Sequence, residues 1–378
     1  MSLTKASYSM ITGAVANVLD FGADPTGTTD STSAIQAAIN ANGAVFLPTG
    51  TYKTTSTLTL ANKTELFGAG SSSVISYTGS SDAIYSTSGG AGNNYKTISQ
   101  LSITSSTAAT AIHIVDEYHT YINNVYINGN NAGYTSAGIL IEGTGSNNSA
   151  CIGIIETTIQ QCEGHGIQFL SANYGPGAIY IGACRIQANN YWGVYAGQDK
   201  SVEATIIGND IEGNVLGGIY IVYPLCANII GNHFEVVTAQ PALQLGGSGT
   251  GGRVYNSNIT GNNCSTNGNA YCVYLNNFQI SNLSSNYFTG YTSAAVNSTG
   301  STANSILQTN VITSLDNLTV STGDLKVTTG NFISNVSSSA PSLSTNSTLS
   351  FQLVSNTSLK VLVRGTDGIT RSATLTLA

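Results

Sequence analysis

NDIE at 209–212, NHFE at 232–235, NNCS at 262–265, NYFT at 286–289 and NVIT at 310–313 are one pattern written five times. Each opens on Asn and places a residue for the interior two positions later: Ile211, Phe234, Cys264, Phe288 and Ile312. An amide that keeps register with an apolar column is not an effect of abundance. Traced backward, the column continues through Ile186, Ile159, Ile127 and Ile103, with successive gaps of 23 to 32 residues. A second column, Ile112, Ile139, Ile167, Val194, Ile219, Leu243, Val273 and Val296, has gaps of 23 to 30 that lengthen largely in step with the first. Both sit in short runs such as GILIEG and GIYIVY that alternate apolar and polar, the period of a strand with one buried face. Fixed strands joined by loops of varying length describe a solenoid. The fold class expected is all-β, a single-stranded parallel β-helix. With strands about 4.8 Å apart, the Asn side chains can stack as a hydrogen-bonded ladder inside a turn.

The flanks read differently. In 30–41 (DSTSAIQAAINA) an Asp or Ser N-cap precedes Ala34, Ile35, Ala38 and Ile39 at helical spacing, a short helix suited to cap the first coil. Beyond 314 come near-repeats (LTVSTGDLKVTTGNF), then three strand-like runs, the last two joined through Asp367-Gly368, a hairpin signal. The organisation expected is a lead-in over 1–16, a cap and first strands over 17–60, the β-helix over 61–314 and a small C-terminal β module over 315–378.

Composition narrows the partners. Charged residues make up 8% of the chain, against roughly 25% in ordinary domains. A net charge of -7 with 11 scattered Lys and Arg argues against nucleic acid and against an anionic membrane. No apolar run reaches membrane-spanning length and no secretory signal opens the sequence, so neither membrane insertion nor ordinary export is expected. Cys151, Cys162, Cys184, Cys226, Cys264 and Cys272 lack C-x2-C spacing and are expected to be buried free thiols. No cofactor and no metal is expected; the cluster His113, Asp116, Glu117 and His119 would need a geometry that a sequence cannot show.

The segment 17–52 carries Asp20, Phe21, Gly22, Ala23, Gly27, Asp30, Ala34, Ile35, Gln36, Ala38, Ile39, Pro48, Gly50 and Tyr52 in an order that resembles the opening of the pectate-lyase-like superfamily as found in bacteriophage tailspikes and tail fibres. The preceding 5–13 (KASYSMITG) resembles the lead-in joining such spikes to a virion-proximal module. The resemblance covers some 45 residues and speaks for fold, since this motif lies away from any groove. It implies a right-handed β-helix, a homotrimer on the virion's phage tail, extracellular, held to other tail proteins through its N-terminus, and binding or cleavage of bacterial surface polysaccharide. No long virion-binding domain precedes the motif, so a compact spike, a shortened one or a unit attached through another protein is expected.

Outward positions then suggest the chemistry. Flanking the first column, three adjacent coils present Arg185 and Gln187, Asp210 and Glu212, then His233 and Glu235. Carboxylates on neighbouring coils stand about 5 Å apart, and those two apart on one strand about 7 Å, distances that span the retaining and inverting glycosidase ranges. Close carboxylates also raise one another's pKa. Glu212 and Glu235 are the expected acid and base or nucleophile, Asp210 the alternate, with Arg185, Gln187 and His233 around them; the competing reading is an ordinary solvated charge ladder. The second column presents Tyr195, Tyr220 and Tyr274 outward with Gln168, Gln244 and Asn297, a strip suited to an extended glycan or to a trimer partner. Glu142, Glu163, His165 and Trp192 sit in or beside loops, where a groove wall and no role at all are equal readings. A glycoside hydrolase is favoured over a non-catalytic receptor-binding fibre and over a uronate lyase, for which the chain offers few cations.

Overall fold

The computed structural model describes residues 15–312, apart from 61, 88–94, 145–148, 173–174, 199, 237–239, 248–251, 270, 280, 300–305 and 309–310, together with 348–376 apart from 356–357. The lead-in 5–13, the fifth ladder residue Asn310 and the near-repeats of 316–330 lie outside the described residues. The chain divides into two compact units, Met1–Leu318 and Thr319–Ala378.

The first unit is a parallel β-solenoid. A first sheet of 22 strands takes two strands from each of most coils, and a second sheet of 10 strands takes one. One coil is Ala204–Ile207 and Asp210–Glu212 in the first sheet, then Gly217–Ile221 in the second. Both apolar columns are in register: Ile186, Ile211, Phe234, Cys264 and Phe288 pair in order on the first sheet, as do Ile167, Val194, Ile219, Leu243 and Val273 on the second. These columns form a continuous core whose members are almost wholly buried. Each coil buries its apolar face only against its neighbours, which is why the repeat can vary its loops without losing the core.

The turn between the two first-sheet strands explains the Asn. Asn232 Oδ1 accepts from both the backbone N–H (3.0 Å) and the Nδ2 (2.8 Å) of Asn209, while Asn209 Nδ2 also donates to the carbonyl of Ile181. Asn262 and Asn286 continue the same arrangement, and the backbone N–H of Cys184 closes the upper end on Asn209. The preceding residue takes the left-handed conformation, so Gly stands at 208, 231 and 261 (φ +64, +63 and +68), though Ala183 and Ser285 adopt it as well. A second, shorter ladder was not expected. At the next turn the N–H of Cys162 donates to Asn189 Oδ1, and Asn189 donates to Asn214 Oδ1 from its N–H and its Nδ2. Cys162 and Cys184 thus occupy ladder positions, and burial pushes the Cys184 thiol up to about 11.

Two expectations need correction. Cys226 is exposed and Cys151 half-buried, because each lies in a turn with positive φ (+51 and +56) and not on an inward strand position; all six cysteines are free. The helix Thr32–Ala41 buries Ile35, Ala38 and Ile39 as expected, but Ser31 at its N-cap makes no capping bond. The Ser31 hydroxyl instead accepts from the backbone N–H of Asp24, and the Asp30 carboxylate accepts from Thr32. The helix packs on the first strands of the solenoid. In the second unit Thr348–Ser355, Ser358–Arg364 and Thr370–Thr376 form an antiparallel sheet, with Gly368 (φ +74) in the hairpin turn. Among the described residues no helix is long and apolar enough to cross a membrane.

Candidate functional site

Residues on either side of an inward strand position point outward, so each sheet carries its own outward columns. On the first sheet Arg185 pairs with Asp210 and Asp210 with His233, while Gln187 pairs with Glu212 and Glu212 with Glu235. All six expected residues of this face therefore share three adjacent strands. Arg185 reaches the next coil, with Nε 3.4 Å from Asp210 Oδ2 and Nη2 2.5 Å from Glu212 Oε1. Where carboxylates alone would repel, a guanidinium offsets the charge of two of them. The surface is open: Arg185 and Glu235 are exposed and Asp210, Glu212 and His233 half-exposed. Gln187 Nε2 donates to Gln160 Oε1 at 2.8 Å.

The second sheet carries a different column. Tyr85, His113, Leu140 and Gln168 stand over one another, and the line continues through Tyr195, Tyr220, Gln244 and Tyr274. Beside its middle run His165 and Trp192, each two positions before an inward residue. Each is the first residue of a strand, directly beside a turn, and together they complete the wall of a groove. His165 stacks on Tyr195 (centroids 4.1 Å apart, planes 11° apart), Trp192 on Tyr220 (5.3 Å, 27°), and Tyr195 lies 5.4 Å from Tyr220. Tyr191 and Leu216, from the turns that join the sheets, and Gln240 and Gln244 wall a groove of about 400 Å³ over these rings. Gly217 makes room for the indole. Its φ is +130, and a Cβ there would come 2.5 Å from the Trp192 ring and 2.6 Å from the carbonyl of Pro241.

The rings spend their broad faces on one another. Tyr191, 45% exposed, tilts against His165 (centroids 5.2 Å apart) at the groove wall. Such a platform is already ordered, so a ligand rich in hydroxyls meets donors and acceptors whose freedom has been lost beforehand. Burial lowers the His165 pKa to about 4, so its ring is neutral near pH 7. The backbone N–H of Trp192 donates to Nδ1 at 3.3 Å, which leaves the proton of the neutral ring on Nε2. Burial, with the neighbouring Tyr195, raises the pKa of Tyr220. None of the acids of the first-sheet face lines this groove. Tyr274 lies on the same column but beyond the groove, beside Tyr271 at 6.3 Å.

The cluster 113–119 splits apart. His113 is outward on the second sheet, with Nδ1 2.8 Å from Asp82 Oδ2 and Nε2 2.8 Å from Glu142 Oε2. Burial opposes its charge, but the hydrogen bonds and charges of Asp82 and then Glu142 outweigh that cost and raise its pKa. Glu117 points inward and closes on Lys96 at 2.5 Å, both fully buried, with Ser86 donating to the same carboxylate oxygen. Asp116 accepts from Thr144, and His119 stacks on Tyr95. Among the described residues no three His, Cys, Asp or Glu are placed to hold a metal ion. The Lys96–Glu117 pair escapes sequence reading because Lys96 opens a strand of ordinary alternation. The Glu163 carboxylate, beside the groove, accepts from Asn190 Nδ2 at 2.7 Å.

Residues 15–220, more than half of the chain, match the family described as rhamnogalacturonase A/epimerase, pectate lyase-like. Comparison with curated proteins finds no similar sequence. Among solved structures, ORF18 of Geobacillus virus E2 is similar with a TM-score of 0.61 and 15% identity, over 96% of this chain and 86% of that one. The tailspike protein of Acinetobacter baumannii phage AM24 gives 0.52 and 14%, over 78% and 54%. The Dettilon tailspike protein gives 0.50 and 16%, over 93% and 76%. At these identities the likeness is one of fold.

Proposed function

We propose, because this chain belongs to the rhamnogalacturonase A/epimerase, pectate lyase-like family, that it binds an extended bacterial surface polysaccharide along the outward column of the second sheet and cleaves it by glycoside hydrolysis. The observation that carries the reading is the ordered stack of His165, Tyr195, Tyr220 and Trp192, flanked by glutamine amides, on successive coils. The strand spacing of about 4.8 Å is comparable to one sugar ring, so a chain lying along the axis meets a new ring edge or amide at each unit. The solenoid shared with ORF18 and the two tailspikes supports a place on a phage tail, outside the host cell, as a homotrimer joined to other tail proteins through its N-terminus.

For the chemistry, Glu212 and Glu235 stand directly opposite on adjacent strands. At about 5 Å this suits a retaining pair, one acid and one nucleophile, with Asp210 as the alternate. Arg185, Gln187 and His233 would orient the substrate and set the charge around them. The acids and the rings share coils but lie on different sheets, so a chain cleaved here crosses the turn that carries Leu216.

Purified protein incubated with the surface polysaccharide of bacteria that it coats should release new reducing ends. Glu212→Gln and Glu235→Gln should each cut turnover by about 100-fold or more while binding survives. Cleavage undiminished in both variants would move the chemistry to Asp210, the alternate acid on the same face. Binding without any fragments would make the protein a receptor-binding fibre, and absorbance from unsaturated uronate ends would make it a lyase.

A further inference from the structure

We infer that the polysaccharide taken by the ring groove is electrically neutral, built of hexose or N-acetylhexosamine units without carboxylate or phosphate. The inference rests on the groove being the glycan site and names the class of glycan that its chemistry admits. The polar side chains that line the groove are uncharged: the hydroxyls of Tyr191, Tyr195 and Tyr220, the amides of Gln240 and Gln244, the indole N–H of Trp192 and the imidazole of His165. The groove lining contains no Lys, Arg, Asp or Glu. The column beneath it runs over ten strands from Thr59 to Asn297, and none of its positions is Lys or Arg.

An anionic sugar needs a cation or several charge-assisted donors once it leaves water, because a carboxylate moved into a half-buried site unpaired is strongly disfavoured. Three cations of this solenoid are engaged away from the groove, and Lys53, Lys63 and Lys200 are not among the residues that line it. Arg185 lies between Asp210 and Glu212, Lys96 is sealed against Glu117, and Arg253 lies over the rings of Tyr223 and Tyr255. Carboxylates stand near the groove and its column: Glu163, held by the Asn190 amide next to Tyr191, and Asp82 and Glu142, which outnumber the one imidazole between them. A polyuronate threading the groove would meet like charge at its side and no cation in its floor. The low pKa of His165 removes the one group in the lining that could have supplied a positive charge near neutral pH. Neutral units lose nothing by this, since their hydroxyls are matched by phenols, amides and the Nε2–H.

The test uses the full chain and its single tryptophan, Trp192, whose fluorescence reports on the groove. A panel of bacterial polysaccharides is titrated at low and moderate salt: neutral polymers, uronate-containing polymers, and the same uronate polymers after chemical reduction of their carboxyl groups, which keeps the ring stereochemistry. The expected result is that the polymers changing Trp192 emission are neutral, that reduction of a polyuronate improves its binding at least tenfold, and that Tyr195→Ala weakens the neutral binders. A native polyuronate that shifts Trp192 emission and binds tenfold more tightly than its reduced form would overturn the neutral assignment and leave the groove as the glycan site. Polymers that bind without moving Trp192 emission and are indifferent to Tyr195→Ala would overturn the groove itself, as would a panel in which nothing binds.

Discussion

The two outward faces of the same coils solve the problem of polar surface in opposite ways. On the first sheet, Arg185 closes on Asp210 and Glu212 across neighbouring strands, so the charges largely answer one another in open solvent, where such pairs contribute at most about 1 kcal/mol. On the second sheet the coils present rings that stack along the helix axis, sheltered by the turns that carry Tyr191 and Leu216. The first face is ordered by ion pairs of its own, with Glu235 exposed beside them. The second has order, shelter and unspent hydroxyls and amides, which is what a binding surface needs. A dense charge cluster is therefore a weaker sign of a site than an ordered stack that nothing else requires.

The largest expected effect tests the frame beneath both faces. Asn262 sits within the long ladder, where it accepts two bonds from Asn232 and donates two to Asn286. Asn262→Ala should cost about 1 to 3 kcal/mol, read as a fall in melting temperature, because buried partners on both sides lose their bonds. The ladder lies within the first sheet, so the environment of Trp192 should change less than the melting temperature. An unaltered melting temperature would break the comparison at its base.

A smaller effect separates the faces directly. Tyr220 stacks in the groove, whereas Tyr180 stands outward and 42% exposed on the first sheet. Tyr220→Ala should weaken polysaccharide binding about tenfold, near 1.4 kcal/mol, and Tyr180→Ala should leave it within about twofold. Equal losses would mean that both faces bind or that neither does.

The last comparison is one of pH dependence, read from the two histidines of the second sheet. His165 has its pKa lowered from 6.5 to about 4, so the unfolded chain takes up its proton first and stability falls as the pH drops from about 6.5 toward 4. His113 has its pKa raised, so its contribution is complete below 6.5 and fades as the pH rises through the raised value. In melting temperature against pH, His165→Gln should flatten the acid limb, and His113→Gln the limb above 6.5.

Much of this was legible in the chain before its structure. Both apolar columns pair as aligned because an inward position on a solenoid tolerates little else, and a register error of one residue would turn every side chain outward. The long ladder was readable for the same reason. The short one was not, since its three positions are Cys162, Asn189 and Asn214, too few and too mixed to stand out. Half of the groove was found through Tyr195 and Tyr220. His165 and Trp192 are legible only as a groove wall beside loops, because strand alternation puts a residue two positions before Ile167 or Val194 on the inward face and gives no signal for the outward stack they join. The inward ion pair of Lys96 and Glu117 departs from the rule that strand interiors are apolar and had no signal at all.

The claim that the second sheet is the binding face is tested most directly by hydroxyl-radical footprinting of the full-length protein with and without a polysaccharide it binds. Protection of Tyr191, Tyr195 and Tyr220, with Tyr180 and Tyr287 on the first sheet oxidised as before, is the result this account predicts. Protection of Tyr180, His233 or Tyr287 with the groove tyrosines unchanged would contradict it.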